Sequence, residues 1–202
     1  MGLLRASSDN AVLTARATPP TITKLKQVLR MDGAKLLRVN INRQNIYLQK
    51  TRRLPGAKES YKALLEPMAK ELDTLGDDFP LTIVYSNLQC ISMVPSIFRL
   101  IVKDTRLYAM FHTRTEDINK SYVLKQLSKE KSGIRLVFAT EALGMGVNTR
   151  NVARVIHITP SSSLETYFQE IGRAGRGTSA ARAILYYNPM DCADNRHTIA
   201  MK

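Results

Sequence analysis

Cysteine is scarce in this 202-residue chain: Cys90 and Cys192 stand far apart, without C-x-x-C spacing. That argues against a disulfide framework and a cysteine-rich zinc site, and for a reducing intracellular compartment. The three histidines, His112, His157 and His197, lack metal-ligand spacing, so no metal site is expected. No apolar run approaches the ~18 residues that span a bilayer, which leaves no membrane partner to expect. The opening MGLLRASSDN has only a brief apolar patch and no long h-region, so no secretory signal is read there. It also misses the myristoylation pattern, because Ala6 stands where Ser or Thr is wanted. Acidic residues are few, 17 against 30 Lys and Arg, for a formal charge of +13. Residues 1–60 hold 12 of those bases against 3 acids, so the excess is concentrated there. Such an excess favours a polyanionic partner through counterion release, although a merely solvated basic face has the same signature.

What is present reads as alternating strand and helix after about residue 80. LTIVYS (81–86) is a short β-branched run suited to a buried parallel strand. Asn87 follows as an N-cap, with a helix running to about Val102. RLYAMFH (106–112) predicts a second strand. From Thr115 a polar helix follows, with Ile118, Tyr122 and Leu127 assigned to one face and Gly133 as its stop. IRLVFAT (134–140), ARVIHI (153–158) and ARAILYY (181–187) are further strands. SSLETYFQEIGRA (162–174) predicts a Ser-capped helix with Glu165 in its first turn. This order implies an α/β fold, a parallel sheet covered by helices on both faces. The first 80 residues are less regular. NAVLTARAT (10–18) reads as a strand entering a loop, 21–30 as a helix, 35–50 as extended segments and 57–75 as a helix. Pro55-Gly56 and GDDFP (76–80) are the natural joints.

Two stretches carry chemistry. QEIGRAGR (169–176) places two arginines three apart, each after a glycine. On a helix both guanidiniums share one face, and the bare glycines let another surface come close. Paired guanidiniums suit the oxygens of a transferring phosphoryl group. Alone, the same letters read at least as well as a helix C-terminus with a glycine cap and arginines facing the dipole. Upstream, FATEALGMGVN (138–148) sets Thr140, Gly144 and Gly146 at the carboxyl edge of a parallel sheet, where ligands bind in open α/β folds. Exposed N–H groups there suit phosphate, and a tight turn needing glycine is the alternative.

Together, TIVYSN, FH, FATEALGMGVN and QEIGRAGR occur in the order and spacing of superfamily 2 helicases, and resemble motifs IV, V and VI of the second RecA-like lobe. GMGVNTRNVARVIHITPSSSLETYFQEIGRAGR is most similar to the RecQ DNA helicases. LTARATPP (13–20) is similar to motif III of the first lobe, and INRQNIYL (41–48) to the RecQ Phe-x-Arg-Pro-Asn pattern between the lobes. The resemblance implies a RecA-like three-layer domain at 51–202, preceded at 1–50 by an irregular remnant of the first lobe and the inter-lobe linker. It implies ATP and magnesium as cofactors, DNA with a single-stranded tract and a first RecA-like lobe as partners, and a nuclear setting in DNA repair and recombination. By the same resemblance Arg176 is the arginine finger and Arg173 its companion. Gln169, Gly144, Gly146 and Asn148 face the nucleotide. Asn87, His112, Thr140, Arg43 and Asn45 contact nucleic acid.

The departures are as informative. The sequence has no Gly-Lys dipeptide, hence no G-x-x-x-x-G-K-[ST] loop to cradle phosphates, and no Asp-Glu pair to position magnesium and water. Arg16 stands where motif III has a small hydroxyl residue, and Gln44 replaces the linker proline. Two expectations follow. The chain is the second lobe of an ATP-dependent 3′–5′ DNA helicase, inactive by itself because the arginines reach toward a triphosphate held elsewhere. Alternatively it is a non-catalytic module that binds nucleic acid or docks on a helicase.

Overall fold

A strand buried on both faces must be apolar at every position, and TIVY and LVFA meet that demand. In the computed structural model, which describes residues 19–31, 33, 35, 43–55, 57–144, 149–176, 179–189 and 191, both are buried throughout. They are β2 (Thr82–Tyr85) and β4 (Leu136–Ala139), the centre of a six-stranded sheet that also contains β1 (Ile46–Arg52), β3 (Tyr108–Phe111), β5 (Arg154–His157) and β6 (Ala181–Tyr187). The strand order is β1-β6-β5-β2-β4-β3, and every pairing is parallel.

Helices α2 (Ala57–Leu75) and α3 (Leu88–Ile101) cover one face, where Leu65, Leu72, Val94 and Phe98 meet Val84, Phe138 and Ile156. Helices α4 (Asp117–Leu127) and α5 (Leu164–Ile171) cover the other, where Val123, Leu127 and Ile171 meet Ile83, Val137, Val155 and Ala183. Successive residues of β2 feed opposite cores, as the period of two in a strand requires. The expected three-layer α/β architecture is present.

The chain divides into two units, Met1–Asn42 and Arg43–Lys202. In the first, α1 (Pro19–Leu29) opens on two prolines, which suit a helix start because their missing N–H has no intrahelical partner there. The expected strand at 10–18 and the extended segment before Arg43 lie outside the described residues, apart from Lys35. The boundary expected at 50/51 falls inside β1. That strand pairs with β6 from Ile46↔Ala181 to Arg52↔Tyr187, so the segment read as a linker runs into an edge strand of the sheet.

The expected face of α4 is corrected. Its buried residues are Val123, Gln126 and Leu127, while Ile118 is 82% and Tyr122 49% exposed. At 100° per residue, positions nine apart lie about 180° around a helix, so Ile118 and Leu127 cannot share a face. Urea denaturation of two variants checks this: Leu127→Ala is expected to lose about 2–5 kcal/mol. Ile118→Ala should stay within about 0.5 kcal/mol of the parent. The opposite ranking would mean that α4 docks by its other side.

Candidate functional site

Helix α5 begins where Ser163 accepts from the Thr166 N–H at 3.0 Å, the expected serine cap. It ends at Ile171, three residues earlier than expected, with Gly172 as its C-cap. Arg173 and Arg176 therefore lie on the turns beyond the helix and not on one helical face. Their access also differs: Arg173 is 3% exposed, whereas Arg176 is open to solvent.

The turn between them is held from several sides. The Gly175 N–H donates to Val152 O (2.9 Å), and the Thr149 hydroxyl donates to Arg173 O (3.2 Å). Gly175 takes φ +56°, and a Cβ there would come within 2.6 Å of Asn45 Nδ2 and 2.9 Å of Ser179 O, so only glycine fits. Asn45 Nδ2 donates to Gly175 O and to Ser179 O, both at 2.8 Å. Arg43 donates through one terminal nitrogen to Ala174 O (3.1 Å) and to Gly175 O, while its Nε donates to Asn45 Oδ1 (3.3 Å). Arg43 and Asn45, expected to contact nucleic acid, are thus seated on the backbone of the arginine-bearing turn. Burial, together with the nearby charges of Arg173 and Arg43, holds the Arg176 guanidinium below the usual arginine range. Three guanidiniums in each other's field form a locus that an anion would stabilise, and in this respect the residues fit a polyphosphate.

Behind the turn lies a buried polar group that sequence reasoning missed. His157 Nε2 sits 2.8 Å from Glu170 Oε2, which also accepts from the Ser161 hydroxyl at 2.6 Å. Tyr85 stacks on His157 with ring centroids 5.2 Å apart. Burial pushes the Tyr85 phenol above its usual range; the neighbouring Arg173 guanidinium works against this and the Glu170 carboxylate adds to it. Glu170 is 3% exposed and His157 is fully buried. The one available signal was that Glu170 lies inside QEIGR, one residue before the apolar Ile171.

Three of the remaining candidates lie at the carboxyl ends of neighbouring strands. Asn87, His112 and Thr140 follow the carboxyl ends of β2, β3 and β4, which are neighbours in the order β2-β4-β3. Asn87 caps α3 by accepting from the Cys90 N–H (2.9 Å) and donates to the Tyr61 hydroxyl (2.9 Å), so its amide is committed internally. His112 Nδ1 accepts from the Arg114 N–H (3.2 Å), leaving Nε2 as the ring's remaining polar atom. Thr140 Oγ1 accepts from the Ala142 N–H (3.3 Å) and keeps its own proton to donate. At Gly144 a Cβ would meet Glu141 O at 2.9 Å, so the bare backbone expected there is required by packing. Gln169 is half-buried on α5. Gly146 and Asn148 lie outside the described residues. Among the described residues, no group of three or more His, Cys, Asp or Glu could hold a metal ion.

A family profile described as helicase conserved C-terminal domain matches residues 69–178. The chain is 31% identical over 192 residues to ATP-dependent DNA helicase Q1 of Pongo abelii, covering 93% of this chain and 28% of that protein. It is 40% identical over 83 residues to ATP-dependent DNA helicase RecQ of Pasteurella multocida, 41% of this chain and 13% of that one. Similarity to helicase Q-like 4B of Arabidopsis thaliana, at 28% identity, spans 99% of this chain and 17% of the relative. The chain thus covers under a third of the length of each. Among solved structures, S. cerevisiae Dbp5 bound to RNA and ADP BeF3 shares the fold at a TM-score of 0.67 and 12% identity, over 93% of this chain and 47% of that one. Mss116p bound to ssRNA and AMP-PNP does so at 0.59 and 21%, over 71% and 28%.

Replacing Gly175 tests the close approach. Gly175→Ala is expected to cost about 1–3 kcal/mol in thermal or denaturant unfolding. Gly133→Ala, whose new Cβ would meet only Gln126 Oε1 at 3.7 Å, should be close to neutral. Equal behaviour of the two would mean that the turn relaxes without strain.

Proposed function

Because the chain belongs to the helicase conserved C-terminal domain family, as the counterpart of the C-terminal lobe of RecQ-type superfamily 2 helicases, we propose that it is the second motor lobe of an ATP-dependent 3′–5′ DNA helicase. In this reading a first RecA-like lobe binds ATP and magnesium. The two lobes close on the nucleotide and reopen after hydrolysis, moving along the strand at each cycle.

One observation carries the assignment of roles: Arg176 is the exposed guanidinium of the Arg43–Arg173–Arg176 cluster, on a turn that the rest of the lobe holds still. A fixed, accessible guanidinium stabilises charge that develops on a transferring phosphoryl group. Arg173, buried beside Tyr85, acts from behind by adding positive field and by shaping the turn. Gln169 and the Gly144 backbone approach the nucleotide from the same lobe. At the carboxyl edge, His112 Nε2, the Thr140 hydroxyl and neighbouring N–H groups grip the phosphodiester backbone of a single strand. Solved neighbours in fold hold RNA or DNA together with a nucleotide analogue, which supports both halves of this reading. A nuclear role in repair or recombination is part of the same proposal and rests on the resemblance to RecQ helicases alone.

The 202 residues contain neither a Gly-Lys nor an Asp-Glu dipeptide, so this chain by itself is expected to show no DNA-stimulated ATP turnover. Combined with a RecQ-type first lobe it should restore turnover, and there Arg176→Ala should lower kcat by about 10³-fold or more with little change in nucleotide affinity. DNA-dependent turnover by the chain alone, or an Arg176→Ala variant that loses affinity and keeps kcat, would overturn the reading. A non-catalytic nucleic-acid-binding module is the second reading, favoured if no first lobe restores turnover.

Single-strand binding separates backbone gripping from base reading. Fluorescence anisotropy with a labelled oligonucleotide should show affinity falling steeply as salt rises, because phosphate contacts release counterions. Affinity insensitive to salt would count against it.

A further inference from the structure

Arg43 and Asn45 precede the first strand of the sheet, yet their side chains are spent on the turn some 130 positions later. Arg43 donates to the carbonyls of Ala174 and Gly175, and Asn45 to those of Gly175 and Ser179. The Asn45 carbonyl accepts from the Ala181 N–H at 2.8 Å, where the β1–β6 pairing begins. Arg43 Nε holds Asn45 Oδ1, so the two side chains orient each other. Four of their donor contacts thus converge on Ala174, Gly175 and Ser179, the residues that flank Arg176.

We infer that Arg43 and Asn45 are positioning residues for Arg176: the segment leading into β1 fixes the turn that presents this guanidinium. Guanidinium geometry matters here, because one planar group reaches two successive carbonyls and a neighbouring amide at once. A lysine keeps the charge and loses that fork. The amide of Asn45 has the matching role, since its two N–H donors bridge the carbonyls on either side of Arg176. A displacement of the segment before β1 is therefore passed directly to the turn, through bonds to its backbone.

This inference rests on the proposed role of Arg176, and its test has two arms that fail separately. The first uses the 202-residue chain and reads amide hydrogen exchange in Arg43→Lys, Arg43→Ala and Asn45→Ala. The Gly175 and Ala181 amides should exchange about tenfold faster or more in each variant, while β2 and β4 stay protected. Unchanged exchange in Arg43→Lys would overturn the tether and return Arg43 to a role as a simple charge. The second arm pairs the chain with a RecQ-type first lobe and measures DNA-stimulated ATP turnover. Arg43→Lys should lower kcat with KM unchanged, and Arg43→Lys combined with Arg176→Ala should be no slower than Arg176→Ala alone. Fully multiplicative losses would show that Arg43 acts independently of Arg176 and overturn the inference. If Arg176→Ala itself leaves kcat intact, the proposed function fails, while the exchange arm still decides the tether.

Discussion

Gly175 holds a left-handed φ of +56° with the Ser179 carbonyl only 2.9 Å from where a Cβ would stand, so glycine is required there, and the architecture of the arginine-bearing turn follows from this close approach. At φ +56° the chain reverses after α5, its carbonyl is delivered to Asn45 and Arg43, and its N–H is delivered to Val152. A Cβ would separate the turn from the start of β1 and remove these bonds together. Hydrogen bonds of this kind are individually modest, about 0.5–1.5 kcal/mol net, but several on one short segment leave it a single conformation.

The second constraint is the polar cluster beneath α5. A carboxylate as buried as Glu170 is costly unless every lone pair is engaged, and His157 and Ser161 engage one oxygen of it at 2.8 and 2.6 Å. The cluster joins the carboxyl end of β5 to the last turn of α5, and with Tyr85 it adjoins Arg173. Glu141 adds a link at the other edge by accepting from the Ser162 N–H at 3.1 Å. The loop after β4 and the segment leading into α5 are therefore connected directly.

Much of this was legible beforehand. Strands such as TIVY and LVFA declare burial on both faces, and Asn87 and Ser163 cap the helices whose starts they were expected to mark. The stop after Ile171 was half legible: a glycine-capped helix end was one of two readings of QEIGRAGR, and Gly172 is that cap, whereas the seating of Gly175 beside Asn45 carries no sequence signature. The seating of Arg43 was equally hidden: its partners are backbone carbonyls, which carry no sequence signature, and they lie 131 and 132 positions away. The face of α4 was misjudged for a simpler reason. Ile118 and Tyr122 are four apart and do share a side, but the buried stripe runs through Val123 and Leu127.

The structure also changes the meaning of the +13 charge. Several arginines that contribute to it are turned inward. Arg53 is buried against Asp191 and Ser60, with Tyr61 below its guanidinium. Arg154 holds Glu71 and Thr82 and lies 4.6 Å above the Phe79 ring, and Arg135 donates to Phe79 O. With Arg43 and Arg173 these side chains serve the fold, so composition overstates the field that a polyanion would meet. Among the described residues, what remains for long-range attraction is shared between exposed lysines and exposed arginines such as Arg30, Arg52, Arg99 and Arg114. Among the guanidiniums around the turn, Arg173 is buried and Arg43 is bonded to the Ala174 and Gly175 carbonyls, while Arg176 is the exposed one.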